Sequence, residues 1–228
     1  MRYGLAFLIL ILILTGCGSA TPSPTRTPVS GDEFDLPSPR LAGEISLEET
    51  LLERRSIRHF SEDALTLAEV SQLLWAAQGI TSEQGWRTAP SAGALYPLEV
   101  YLVVGNVEGL ASGLYKYVPD GHRLMSVKDG DLREELAEVS LSPDPVRNGA
   151  VSLVIAAVYE RTTTKYGEKG VRYVHMETGH AAQNVYLQAA ALGLGNVVLG
   201  AFADERLKGV LDLPAEEAPL YIIPVGRP

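Results

Sequence analysis

The chain has 228 residues, 46% of them hydrophobic and 21% charged, with a formal net charge of -9 and a pI of about 5.0. That balance disfavours non-specific attraction to nucleic acid or anionic lipid, so no nucleic-acid partner is expected, and the length suits one globular domain with a substantial core. The single cysteine, Cys17, excludes a disulfide, a thiolate nucleophile in the folded part and a cysteine metal centre.

Arg2 precedes an apolar run over residues 5–14 that leads into Leu14-Thr15-Gly16-Cys17. The run is shorter than the roughly 20 residues of a spanning helix, and its charged start and small-residue end read as an export signal. The ending resembles the lipobox of bacterial lipoproteins. Cys17 is then the lipidated first residue of an exported chain anchored to the membrane. Residues 18–40, rich in Thr, Ser and Pro, read as an extended tether, and the folded domain is expected over residues 41–228.

Ser46 is placed to cap a short helix over residues 45–54. At its end Arg54, Arg55, Ser56 and Arg58 crowd three guanidiniums and a hydroxyl into five positions. Guanidinium forks match phosphate and a serine adds a compact donor, so the cluster reads as an anion site or as a solvated basic face. Thr66 and Glu69 make a capping box for a helix over residues 66–78, ended by Gly79. A loop with Arg87 and the run Pro90-Ser91-Ala92-Gly93-Ala94-Leu95-Tyr96-Pro97 leads into an apolar strand over residues 100–104.

Residues 114–118 and 123–127, joined through Pro119-Asp120-Gly121, predict a hairpin. A short helix follows over residues 131–139. Residues 151–158 are a continuous, β-branched apolar run, hence a central strand, which delivers the chain to Arg161, Lys165 and Tyr166. Residues 173–192 carry Val174, Thr178, Ala181, Val185, Ala189 and Leu192 on one stripe and predict a helix about 30 Å long. A strand over residues 196–199, a helix over residues 204–211 capped by Asp204 and a last strand over residues 220–225 complete an α+β pattern without a regular βαβ repeat.

Several chemistries drop out. His175 and His180 lie five apart on the long helix, about 140° around its axis, so they do not share a metal, and no metal site is expected; His180 reads as a packing residue. Gly193-Leu194-Gly195 has Val198 where a dinucleotide fingerprint needs a third glycine, and it precedes a strand instead of following one. Neither a P-loop nor a Gly-x-Ser-x-Gly elbow is present.

The surviving pieces resemble the nitroreductase family of FMN-dependent oxidoreductases, over about residues 48–228. Arg54-Arg55-Ser56-Ile57-Arg58-His59-Phe60 is similar to that family's phosphate-side signature, Leu199-Gly200-Ala201-Phe202 to its flavin-edge segment, and Ile223-Pro224-Val225-Gly226-Arg227-Pro228 to its last strand. Within the family the likeness is to SagB-type dehydrogenases, which oxidise thiazolines and oxazolines in peptides. It rests on residues 90–97, on Arg161 with Lys165-Tyr166-Gly167, on Arg172-Tyr173, and on Gly179-His180 with Gln183-Asn184.

The resemblance implies a nitroreductase-like α+β fold with a mixed central sheet surrounded by helices, in an intertwined homodimer with flavin where the subunits meet. It implies FMN, with its phosphate at Arg54, Arg55, Ser56, Arg58 and Arg227. The flavin ring would lie against Pro90, Ser91, Ala92, Gly93, Leu199 and Gly200. Small residues and free N–H groups at Gly93, Leu199 and Gly200 suit a close approach of backbone to the ring. A hydride then passes between a small-molecule or peptide substrate and flavin N5, and Lys165 and Tyr166 match the pair implicated in proton transfer. A base there needs its pKa brought down from roughly 10 by desolvation or a neighbouring cation; otherwise the two are a solvated loop pair. A nitro- or quinone-reducing flavoprotein using NAD(P)H and a non-catalytic lipid-anchored binding module are the other readings.

Overall fold

The structure is a computed structural model and describes residues 31–228. The export signal, Cys17 and residues 18–30 of the tether lie outside the described residues. In chain order, β1 (Glu33–Asp35) is followed by α1 (Leu47–Glu53), β2 (Leu65–Thr66) and α2 (Leu67–Gln78). A 3-10 turn (Ala92–Ala94) then leads to β3 (Leu98–Val104), β4 (Val107–Glu108), β5 (Gly113–Val118) and β6 (Arg123–Asp129). Two short helices, α3 (Arg133–Val139) and α4 (Pro143–Asn148), precede β7 (Val151–Val158), α5 (Glu160–Tyr166) and α6 (Lys169–Ala191). The chain closes with β8 (Gly195–Asn196), α7 (Asp204–Val210) and β9 (Glu217–Gly226).

Seven strands form one sheet in the order β1-β6-β5-β3-β7-β9-β8. The two apolar runs lie at its centre because each buries both faces. In β3, Val100, Leu102 and Val104 enter the core beneath α2 and α6, while Tyr101 and Val103 enter the core that includes Leu136 of α3 and Leu207 of α7. In β7, Leu153 and Ile155 face the first core and Val154 and Ala156 the second. A strand covered on both sides loses its polar alternation, which is why these segments read as continuous runs. The expected α+β architecture is present. The sheet expected to be mixed has antiparallel ladders throughout; its parallel component is the single bridge from Ser56 to Asn196 at the β8 edge.

The helix starts obey local chemistry. Ser46 and Glu49 cap α1, and Thr66 and Glu69 cap α2, each as a reciprocal capping box. Gly193-Leu194-Gly195 proves to be a helix stop, with the Leu194 N–H returning to the Ala189 carbonyl at 2.9 Å. Asp204 is not the cap of α7; Ala203 holds that position and Asp204 is in the first turn. The strand expected over residues 196–199 pairs as β8 only to Asn196, with Leu199 making a separate bridge to Ile222.

Two further differences bear on the site. Residues 33–40, expected in the tether, pack on the domain: β1 pairs with β6, Phe34 meets Tyr115 edge-on at 5.8 Å and Leu36 is buried. Three residues are too few to show a period in sequence. Residues 160–166, which carry Lys165 and Tyr166, form α5 and not a loop. Their three threonines hide a helix that is supported by burial of Thr162 and by the Thr164 hydroxyl donating to the Glu160 carbonyl.

Candidate active site

The arginine segment is laid along the sheet edge by backbone bonding. The Ile57 N–H donates to the Asn196 carbonyl at 2.9 Å, and Gly195 permits this, since a Cβ there would stand 2.8 Å from Ile57 Cγ2. Tyr186 of α6 organises the cluster from the other side. Its hydroxyl lies 2.8 Å from Ser56 Oγ and accepts the Val198 N–H at 3.0 Å. The Arg54 guanidinium lies 5.0 Å from the centre of the same ring. Arg55 is turned back on the carbonyls of Leu52 and Arg54, whereas Arg58 makes a long contact to the Ser56 carbonyl. Among the described residues none of these three arginines is paired with a carboxylate. Asn196 is buried beside them with its Nδ2 unpartnered.

The second cluster forms where the loop over residues 90–97 meets α5. Gly93 has φ +65°, and a Cβ on it would stand 2.8 Å from the Tyr166 hydroxyl and 3.0 Å from Lys165 Nζ. The structure therefore brings together the small-residue turn and the Lys-Tyr pair, which lie more than 70 positions apart in the chain. Tyr166 is steadied by Tyr173 of α6, edge-on at 5.2 Å, and Lys165 Nζ lies 5.4 Å from the centre of the Tyr166 ring. The turn itself is strained, with Ala94 at φ 53° and Tyr96 at φ 46° besides Gly93.

Charged groups brace that turn. Arg161 donates to the Tyr96 carbonyl at 3.1 Å and pairs with Glu99. Arg87 lies over the Tyr96 ring at 4.5 Å and donates to Gln78; burial pulls its pKa down, against the attraction of Glu99. Glu99 also pairs with Lys116, which is bound to the buried Glu217 at 2.9 Å. Burial opposes the charge on Lys116, yet the bond to Glu217 and the charge of Glu99 override it and raise its pKa. Behind the turn, Glu177 of α6 is 2% exposed, and its carboxyl is pushed up to about 7 by burial, against the influence of the Ser91 hydroxyl and the charge of Arg87.

The model of the nitroreductase family matches residues 51–227, a span that holds both clusters and nearly all of the sheet. The chain belongs to the nitroreductase family. It is 47% identical over 197 residues to a protein of Methanocaldococcus jannaschii named as a nitroreductase, MJ1384, a match covering 86% of this chain and 98% of that one. A solved nitroreductase-type structure from Ralstonia eutropha superposes with a TM-score of 0.74 at 30% identity, covering 91% of this chain and 95% of the other. The Escherichia coli microcin synthetase McbBCD complex, with truncated pro-MccB17 bound, contains a chain that superposes at a TM-score of 0.66 and 27% identity over 86% of this chain and 77% of its own length. The protein is thus an oxidoreductase of this family.

The residues of this chain fit FMN through their donor set: Arg54, Arg55 and the buried Asn196, whose Nδ2 has no partner among the described residues, line one cleft with Tyr186, whose hydroxyl meets Ser56. Two expected contributors are placed otherwise. The Arg227 guanidinium is bound to Glu69, at 3.0 and 3.1 Å, and to the Ala64 carbonyl, so it serves the capping box of α2. The Leu199 N–H is not free, because it donates to the Ile222 carbonyl at 2.8 Å. Gly200 is exposed, as are Pro90 and Gly93, while Ser91 and Ala92 are half-buried. Within one chain the arginine cluster at Tyr186 and the turn beside Glu177 stand about 13 Å apart along α6. Tyr186 and Glu177 escaped the sequence reading. Glu177 had a signal, a carboxylate between Val174 and Ala181 on the apolar stripe; Tyr186 had none.

Proposed function

We propose that this protein is an FMN-dependent dehydrogenase of the SagB type, exported and anchored through lipidated Cys17, acting as a homodimer on a small-molecule or peptide substrate. The observation that carries the reading is the contact of the Gly93 turn with the Tyr166 hydroxyl and Lys165 amine. FMN, when bound, supplies a two-electron centre that exchanges a hydride at N5 with the substrate. Arg54, Ser56 and Arg58 hold its phosphate through charge-assisted bonds, and Gly93 offers backbone with no side chain in the way. The proton that leaves with the hydride would pass to Tyr166 Oη as the phenolate or to Lys165 Nζ as the free amine, both directed at the turn.

The bound pro-MccB17 of the McbBCD complex supports a peptide among the possible substrates. A homodimer is supported by an exposed apolar surface: Leu41 (83% exposed), Leu47, Leu51 and Leu52 (72% exposed) on and before α1, beside a groove of about 730 Å³ that reaches Leu187, Ala190 and Ala191 of α6.

The deciding experiment is the visible spectrum of the purified full-length chain before and after addition of FMN, with unbound flavin removed. A retained flavin spectrum is expected, and a colourless protein after reconstitution returns the binding-module reading. Anaerobic NADPH separates the two enzymatic readings: unchanged flavin absorbance supports the dehydrogenase, and rapid bleaching supports the nitro- or quinone-reducing flavoprotein.

A further inference from the structure

The arginine-serine cluster is held from α6 by a phenol. The backbone of Ser56 is bridged in parallel to Asn196 at the β8 edge, and the next residue, Ile57, donates its N–H to the Asn196 carbonyl at 2.9 Å. With the backbone pinned, the freedom left to Ser56 is that of its side chain. Its Oγ lies 2.8 Å from the Tyr186 hydroxyl, and that phenol oxygen already accepts the Val198 N–H at 3.0 Å.

A hydroxyl carries one proton and two lone pairs, so the pair has two arrangements. If Ser56 gives its proton to Tyr186, the phenol accepts twice and its own proton has no partner among the described residues. If Tyr186 gives its proton to Ser56, the phenol is satisfied as donor and as acceptor, and the Ser56 proton stays free on an exposed side chain. The hydrogen-bond network favours the second arrangement. Its direction matters, because a phosphate oxygen accepts hydrogen bonds and so needs Ser56 as a donor. The same ring lies 5.0 Å from the Arg54 guanidinium, and Tyr186 lines one cleft with Arg54, Arg55, Glu53 and Asn196.

We propose that Tyr186 is the positioning residue of the phosphate site: it donates to Ser56 Oγ and so presents the Ser56 proton to the anion. The inference rests on the reading that this cluster holds the FMN phosphate, and it deepens that reading by making Tyr186 a determinant of the preference for a phosphorylated flavin. Tyr186 acts through Ser56, by lowering the ordering cost of the serine's contact with the ligand.

The test titrates the full-length chain, Tyr186→Phe, Ser56→Ala and the double variant with FMN and with riboflavin, which lacks the phosphate. Tyr186→Phe keeps the ring beside Arg54 and removes only the hydroxyl, and riboflavin reports whether the rest of the flavin site is intact. Ser56→Ala is expected to weaken FMN binding about tenfold, the loss of one charge-assisted bond, and Tyr186→Phe about fivefold, the loss of its preorganisation. Riboflavin affinity is expected to stay within about twofold in both, since neither change touches a group it needs. The double variant is expected to match Ser56→Ala at about tenfold, where independent effects would multiply to about fiftyfold. Unchanged FMN affinity in Tyr186→Phe overturns the inference, as does equal weakening of FMN and riboflavin or a multiplicative double variant. A wild-type chain that takes up no FMN overturns the proposed function instead. Titration with inorganic phosphate then decides the inference separately: binding that weakens in both single variants upholds Tyr186 as the positioning residue of an anion site, and no binding overturns it.

Discussion

The Tyr166 hydroxyl stands against the backbone of Gly93, 2.8 Å from where a Cβ would be. The approach is possible only because that position has no side chain and a left-handed φ. Gly93→Ala therefore meets two obstacles: a strained backbone costing about 1–2 kcal/mol and a methyl group in the space of the phenol. Since displacing reacting groups by 1 Å costs on the order of 100-fold, kcat is expected to drop about 100-fold while the FMN dissociation constant moves less than about threefold. Steady-state kinetics and a flavin titration on the same sample check this; equal loss of flavin and activity would point to collapse of the turn.

Lys165→Ala and Tyr166→Phe bear on the proton. Neither touches the arginine cluster, so flavin retention is expected to be unchanged, and loss of a positioned acid-base group slows turnover by about 10²–10⁴-fold. Rapid mixing of substrate with the oxidised enzyme locates the slowed step. If both variants lose flavin as well, the pair is structural.

Arg58 and Arg227 are expected to separate. Arg58 has no carboxylate partner among the described residues, so Arg58→Ala is expected to weaken FMN binding about tenfold, a charge-assisted bond of roughly 1.5 kcal/mol, with a shallower salt dependence. Arg227 is bound to Glu69. Arg227→Ala is expected to lower the melting temperature by about 2–4 °C for a loss of about 1 kcal/mol, with flavin affinity intact. A thermal melt alongside the flavin titration distinguishes them.

A half-buried histidine and a buried carboxylate give stability opposite pH slopes. His122 lies between Ser71 Oγ at 2.7 Å and the Tyr117 hydroxyl at 2.8 Å. Ser71 donates its own proton to the Pro37 carbonyl, so it accepts from Nε2–H, and Nδ1 accepts from Tyr117; the ring is held neutral. Burial keeps its pKa below the usual range, despite the Pro37 carbonyl. The folded state thus binds fewer protons than the unfolded one: the contribution is complete above the unfolded pKa of about 6.5 and is lost as pH falls through the lower folded value. His122→Asn, compatible with the positive φ there, is expected to flatten the acid limb in urea melts.

Glu177 behaves in the opposite sense. Its folded pKa of about 7 exceeds the unfolded value, so its contribution is complete below about 4.5 and is lost as pH rises through 7, by on the order of 3 kcal/mol. Glu177→Gln is expected to remove the decline on the alkaline side. Persistence of that slope in the variant would place its origin elsewhere.

Local chemistry was legible in the chain. Ser46 with Glu49 and Thr66 with Glu69 start their helices because a cap needs only residues three apart, and the run over residues 151–158 names β7 because burial on both faces removes every polar position. The arginine-serine cluster was visible for the same reason: its members are adjacent. Where the signal was short or weak the sequence was silent, as for the three residues of β1 and for the threonine-rich α5.

By itself, then, the sequence determined the α+β composition, the family and which side chains carry charge. Only the tertiary structure decided their partners. It set Gly93 against Tyr166 and Lys165, committed Arg227 to Glu69, and buried Glu177 within α6. Such contacts join residues far apart in the chain, and whether a guanidinium meets a carboxylate or stays free depends on how α2, α5, α6 and the sheet pack, a cooperative outcome that no spacing of residues encodes.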